Sequence, residues 1–246
     1  SSAASDVYKR QVYNVFLLLA GGLIGRFAGK FINPRIEETV LKITGIGIIM
    51  MGVSGCLSKV LLITDEGLKT RGEIVILVSL AVGAVIGEII DFDRKIYNFG
   101  MWLKEKTGSG DDSAFVSSFV AATCTVCIGA MAIVGAIEDG ITGNHSILLA
   151  KGVSDLILIA IMTSTQGKGP VFSVIPVVIF QGSITLISHF IGPIIPEAAI
   201  YNLSMVGNVL ISTIGINITF GTEIRVANVL PALLVAAIMG GFGFMK

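Results

Sequence analysis

About eight apolar runs recur along this chain, most of them close to the twenty or so residues an α-helix needs to cross a hydrocarbon core about 30 Å thick. They cover approximately Val12–Phe31, Val40–Ile63, Ile74–Ile90, Phe115–Ile137, Ser146–Thr163, Val171–Ile191, Ile200–Phe220 and Val226–Phe244. Inside lipid every backbone N–H and C=O must be satisfied within the protein, so runs of this length predict helices. The expected fold is all-α, a polytopic transmembrane helical bundle of about eight helices. Composition agrees: 53% of the 246 residues are hydrophobic, only 14% are charged and the mean hydropathy is +0.88. A soluble domain carries about a quarter of its residues as charges.

Residues 1–11 are polar and read as a non-native or disordered leader, which leaves 12–246 as a single integral membrane domain. No cleavable signal peptide is required, because the first apolar run can itself insert. The formal net charge is zero and no long basic stretch occurs, so nucleic acid is not an expected partner. Cys56, Cys124 and Cys127 all lie inside apolar segments, which argues against a disulfide framework. Cys124 and Cys127, three apart, have the spacing for a soft metal. No second pair or inward histidine accompanies them, so packing is the expected role and neither metal nor cofactor is assigned.

The one sizeable polar loop, Asp91–Ser113, holds Phe92, Ile96, Phe99 and Leu103 at helical spacing beside Trp102, the pattern of an amphipathic interfacial helix. Lys and Arg gather in the odd-numbered connections (Lys30, Arg35, Arg94, Lys95, Lys104, Lys106, Lys168, Arg225), against Lys59, Lys69, Arg71 and Lys246 on the other side. The positive-inside rule then puts the long loop in the cytoplasm, and both termini and the Glu138-Asp139-Gly140 turn outside.

Glycines recur at spacings suited to close helix contact, such as Gly21, Gly25 and Gly29, or Gly83 and Gly87. A constant register also aligns Gly22, Ile24, Glu37, Gly47 and Gly55 with Gly182, Ile184, Glu197, Gly207 and Gly215, with Pro34 and Pro196 near the two glutamates. The first helix then matches the sixth. An odd shift inverts direction, giving three helices at each end around a central two, the 3+2+3 inverted repeat familiar in transporters.

Ionisable groups inside such segments are expensive unless paired or wet. Lys151 and Asp155 lie four apart on one predicted helix and can touch. Gln181, Ser183 and Thr185 follow Pro176, whose missing N–H frees a carbonyl in a helix that would otherwise be regular. Asn228 precedes Pro231, and Asn202, Asn208, Ser212 and Asn14 add amides and a hydroxyl at apparent membrane depth. Together they suggest a polar lining for a small polar or zwitterionic solute. The metalloprotease, nucleophile-elbow, P-loop and dinucleotide signatures are missing from the sequence, so no enzyme is expected.

In Gly129-Ala-Met-Ala-Ile-Val-Gly-Ala-Ile-Glu-Asp-Gly-Ile-Thr-Gly-Asn-His-Ser146, Gln181-Gly-Ser-Ile-Thr185 and Ile224-Arg-Val-Ala-Asn-Val-Leu-Pro-Ala-Leu-Leu-Val-Ala236, the chain resembles the YqgA/YdfK-like family of bacterial membrane proteins, a domain of unknown function. The resemblance runs from Val12 onward. It implies a multi-helix fold and a multi-pass place in the bacterial cytoplasmic (inner) membrane, and it carries over no substrate and no catalytic residue. The functional expectation is a secondary transporter or permease, with Lys151, Asp155, Gln181, Ser183, Thr185, Asn208 and Asn228 along the pathway. Its rivals are a channel-like pore and a non-transporting scaffold docking through Asp91–Ser113. The lipid bilayer is the expected partner, and a homo-oligomer is compatible with the pattern.

Overall fold

The computed structural model describes residues 2–28, 33–65, 67–92 and 130–242, with isolated positions between 94 and 126. Its elements are α1 (Ser2–Ala28), α2 (Pro34–Val60), β1 (Leu61–Thr64), β2 (Gly67–Thr70), α3 (Glu73–Ile90), α4 (Ala130–Thr142), α5 (Ser146–Gln166), a 3-10 turn (Gly169–Ser173), α6 (Val174–Ile191), a second 3-10 turn (Gly192–Ile194), α7 (Glu197–Phe220), α8 (Val226–Val229) and α9 (Pro231–Gly241). Helix dominates, as the apolar runs predict. Five described stretches are long and apolar enough to cross a membrane: Pro34–Val60, Glu73–Ile90, Ser146–Gln166, Gly169–Ile194 and Glu197–Phe220. Val12–Phe27 and Val226–Gly241 are shorter apolar helices.

The helix α3 shows most plainly what solvent these helices are built for. Its buried residues are Val75, Ser79, Gly83 and Gly87, one stripe at four-residue spacing. Its large apolar side chains point outward, with Leu77 69% and Ile89 79% exposed. Small residues inside and bulky apolar residues outside reverse the pattern of a water-soluble helix. In lipid the reversal is favourable, because packing rather than hydrophobic burial holds the helices together.

The chain forms two compact units, Ser1–Ile43 with Arg94–Phe190, and Thr44–Asp93 with Ile191–Lys246. In the first, α1 runs parallel to α5. A Cβ on Gly21 would collide with the Leu156 carbonyl, and one on Gly25 with that of Ala160. Gly22 faces Val171 while Asn14 bonds Gln181, so α1 and α6 run antiparallel. The helices α4 and α5 form an antiparallel pair in which Gly135 faces Ile147 and Leu148. Their turn is made by Gly143, at φ 73°, and by Asn144, whose Oδ1 accepts from the Ser146 N–H at 3.2 Å and the Ser146 hydroxyl at 2.8 Å. Leu18, Ala122, Val126, Ile159 and Val177 form the apolar core of this unit.

In the second unit α2 and α7 pack antiparallel, with Gly45 against Thr219, Gly52 against Ser212 and Gly55 against Asn208. The pairing of α3 with α8 and α9 is antiparallel too, Gly87 lying on the Asn228 carbonyl and Gly83 on Ala232. These neighbours, like α1 and α6 in the first unit, are the helices matched by the sequence repeat. Each matched pair runs in opposite directions, as an inverted repeat requires.

Several boundaries differ from the sequence reading. Residues 2–11 are helical and continuous with the first apolar run. The second run stops at Val60, and Leu61–Thr64 turns back as an antiparallel hairpin onto Gly67–Thr70, with Gly67 at φ 113°. Leu61, Leu62 and Ile63 are apolar enough to extend a span, which hid the hairpin. The acidic Glu138-Asp139-Gly140 segment is the last turn of α4 rather than a loop. Pro176 is the third residue of α6, where its missing N–H costs nothing, so the break lies earlier, in the 3-10 turn. In the last segment the chain stays helical through Leu230, at φ −52° and ψ −35°, and Pro231 marks only a local change to i→i+3 hydrogen bonding between α8 and α9. Cys124, Cys127 and most of the Asp91–Ser113 loop, with its predicted amphipathic helix, lie outside the described residues.

Candidate functional site

The helix α5 begins at the Asn144 turn and places Asp155 near the middle of its 21 residues. One turn earlier stands Lys151, so their side chains share a face. They close an ion pair there, with side chains only 4% and 5% exposed. The low surrounding polarity strengthens their attraction, but it also makes each charge costly to hold without the other.

Between them lies Gly152, and its missing side chain makes room for α1. A Cβ at this position would stand 3.0 Å from Asn14 Oδ1 and 2.7 Å from Leu17. The Asn14 amide therefore rests on the α5 backbone beside the ion pair. Its Nδ2 donates to Gln181 Oε1 on α6. Both residues are buried, Gln181 completely. The bond leaves two polar atoms over: Asn14 Oδ1, an acceptor, and Gln181 Nε2, a donor, have no partner among the described residues. An unmatched buried amide group costs about 1–3 kcal/mol. Two on one pair mark a place where a guest with a donor and an acceptor would gain.

Gln181 and Thr185, four apart on α6, are both fully buried on one face. Ser183, two residues from each, falls on the opposite face, where it is exposed and donates to the Ile179 carbonyl at 2.6 Å. The Gly140 end of α4 rests against the Thr185 carbonyl and Ser188. This brings Glu138 and Asp139 into the protein, at 7% and 2% exposure. Sequence reasoning passed over these two carboxylates because Gly-Ile-Thr-Gly-Asn reads as a loop. The signal available was the unbroken helical spacing of Val134, Ile137 and Ile141.

Asn208 and Asn228 belong to the second unit. Asn208 donates to the Ser204 carbonyl at 2.8 Å, and its side chain fills the space left by Gly55. Asn228 is fully buried in α8, its carbonyl against Gly87. Asn202 donates to the Ala236 carbonyl of α9 at 3.3 Å, and its Oδ1 is without a partner among the described residues. The amides expected to form one lining are thus distributed, Asn14 and Gln181 in one unit and Asn202, Asn208 and Asn228 in the other.

Outward apolar faces, glycine-mediated helix contacts and a buried polar cluster define an integral membrane protein of the helical class. The chain belongs to the family described as "Protein of unknown function (DUF554)", whose profile matches residues 11–240. It is 25% identical over 228 residues to the "Uncharacterized membrane protein YdfK" of Bacillus subtilis, covering 93% of each chain. It is 26% identical over 230 residues to the "Uncharacterized protein YqgA" of Escherichia coli, covering 91% of this chain and 92% of that one. No solved structure matches it significantly.

Proposed function

We propose that this protein is a secondary transporter of the bacterial inner membrane for a small polar solute, with Lys151, Asp155, Asn14 and Gln181 at the heart of its solute site. The observation that carries the reading is the ion pair buried beside an amide pair that keeps one acceptor and one donor unused. A purely structural body gains little from such a cluster, since an apolar replacement of similar shape is often as stable. A solute bearing both donor and acceptor groups satisfies the amide atoms, and a zwitterion also complements the two charges. The antiparallel packing of repeat-matched helices is a feature shared with carriers that alternate access around a central site. Glu138, Asp139 and Thr185 are the next candidates for the pathway, whereas the outward Ser183 drops from it.

Uptake by proteoliposomes, screened over amino acids, small organic acids and cations, tests the proposal. Saturable, gradient-coupled uptake by the wild type, lost in a folded Asp155→Asn variant, is the expected result. Conductance without coupling identifies a pore instead. Uptake indifferent to Asp155→Asn overturns the assignment of the site.

A further inference from the structure

At one end of the second unit, where α2 gives way to the hairpin and the hairpin to α3, two cations converge on one ring. Lys59 Nζ stands 5.2 Å from the centroid of Tyr201, and the Arg71 guanidinium carbon 4.4 Å from it. The ring is fixed in place, because its hydroxyl donates to the Lys59 carbonyl. The Arg71 N–H donates to the Val60 carbonyl at 2.9 Å and closes the base of the hairpin. Among the described residues no carboxylate pairs with either cation, and Arg71 Nε is buried without an acceptor. Glu73, close by in sequence, is engaged by Thr70. A guanidinium stacked on an aromatic ring keeps its in-plane N–H donors available, and their spacing suits a phosphate.

The hairpin above this base has a polar turn sequence, Thr64-Asp65-Glu66-Gly67, but carries two outward apolar side chains just before and after it. Ile63 pairs with Leu68 across the two strands, and they are 93% and 66% exposed. Both α2 and α3 are long and apolar enough to cross the membrane and both end at this hairpin, which puts it at the bilayer surface. There apolar side chains can reach the acyl boundary while cations sit among headgroups.

We propose that Lys59 and Arg71, held together by the Tyr201 ring, bind the phosphate headgroup of an anionic phospholipid, with Ile63 and Leu68 seated at the acyl boundary beside it. The chemistry matches on both counts: two unneutralised cations for the phosphate, two exposed apolar chains for the lipid.

Native mass spectrometry of the full chain released from micelles, after incubation with phosphatidylglycerol or phosphatidylcholine, tests this. The wild type should retain phosphatidylglycerol in preference. Retention should fall at least tenfold in Lys59→Gln/Arg71→Gln and stay within twofold of wild type in Arg35→Gln, a control at the start of α2. Arg71→Lys keeps the charge but loses the stacked fork, and should fall between; it serves if the double variant does not fold. Ile63→Ser/Leu68→Ser should weaken lipid retention several-fold. Equal retention of the two lipids by the wild type, or retention unchanged in Lys59→Gln/Arg71→Gln and Arg71→Lys, overturns the site. A thermal shift with inorganic phosphate alone that equals the shift with phosphatidylglycerol, together with no effect of the hairpin variant, overturns the lipid assignment.

Discussion

Lys151 and Asp155 face each other one turn apart on α5, almost wholly withdrawn from the surface of their unit. Such a pair is stable only as a pair. Deleting one member leaves a buried charge uncompensated, at about 3–5 kcal/mol, whereas replacing both by apolar groups removes charge and desolvation penalty together. Asp155→Asn should therefore lower the unfolding midpoint in detergent, and Lys151→Met/Asp155→Leu should recover most of that loss. If the pair serves transport, flux is lost in both variants. Recovery of stability without recovery of flux separates function from support, and thermal unfolding measured beside uptake reads both.

The Asn14–Gln181 bond makes a second, smaller coupling between α1 and α6. Gln181→Leu removes the acceptor and leaves the Asn14 amide buried, which should cost about 1–3 kcal/mol. In Asn14→Leu/Gln181→Leu neither polar group remains, so the double variant should be more stable than the sum of the single losses predicts. A double-mutant cycle on chemical unfolding in micelles gives the coupling directly. A coupling of zero means that the two amides are not partners.

The succession of helices and the Lys151–Asp155 pair were legible in the sequence because each rests on a local rule: span length for the first, four-residue spacing for the second. Opposed running of α2 against α7, and of α3 against α8 and α9, was readable from the repeat despite its few shared residues. What escaped depended on distant partners. Leu61–Thr64 carries the same apolar side chains as the helix before it, and only its pairing with Gly67–Thr70 distinguishes a strand. Glu138 and Asp139 read as loop residues from sequence alone, and it is the cover of α6 over Gly140 that buries them. The amides of Asn14 and Gln181 lie 167 residues apart, and no spacing rule connects them.

Glycine positions allow a sharper test of the packing than any apolar residue. At Gly87 a Cβ would overlap the Asn228 carbonyl, a backbone atom that cannot swing aside. Gly87→Ala should destabilise by about 1–3 kcal/mol or displace α8. Gly47 sits mid-helix on α2 with nothing within 4 Å of the added methyl. Gly47→Ala should be neutral or stabilising by up to about 1 kcal/mol, the difference in helix propensity. Thermal unfolding of the two variants side by side checks the opposed signs. Equal effects would contradict the close approach of α3 to Asn228.

The end of α4 decides whether the acidic segment faces water. Asn144 is exposed in the turn, whereas Glu138, six residues earlier, is buried within the helix. The four helical steps from Glu138 to the end of α4 at Thr142 advance about 6 Å. In a background with Cys56, Cys124 and Cys127 replaced by alanine, Asn144→Cys should react quickly with a membrane-impermeant maleimide. Glu138→Cys should react at least tenfold more slowly. A helix that frayed at Ile137 would expose both positions and bring the rates together. Slow labelling of Glu138→Cys that becomes faster when a solute is transported would place this carboxylate beside a path that opens during turnover. Labelling that stays slow throughout would confine Glu138 to holding α4 in place.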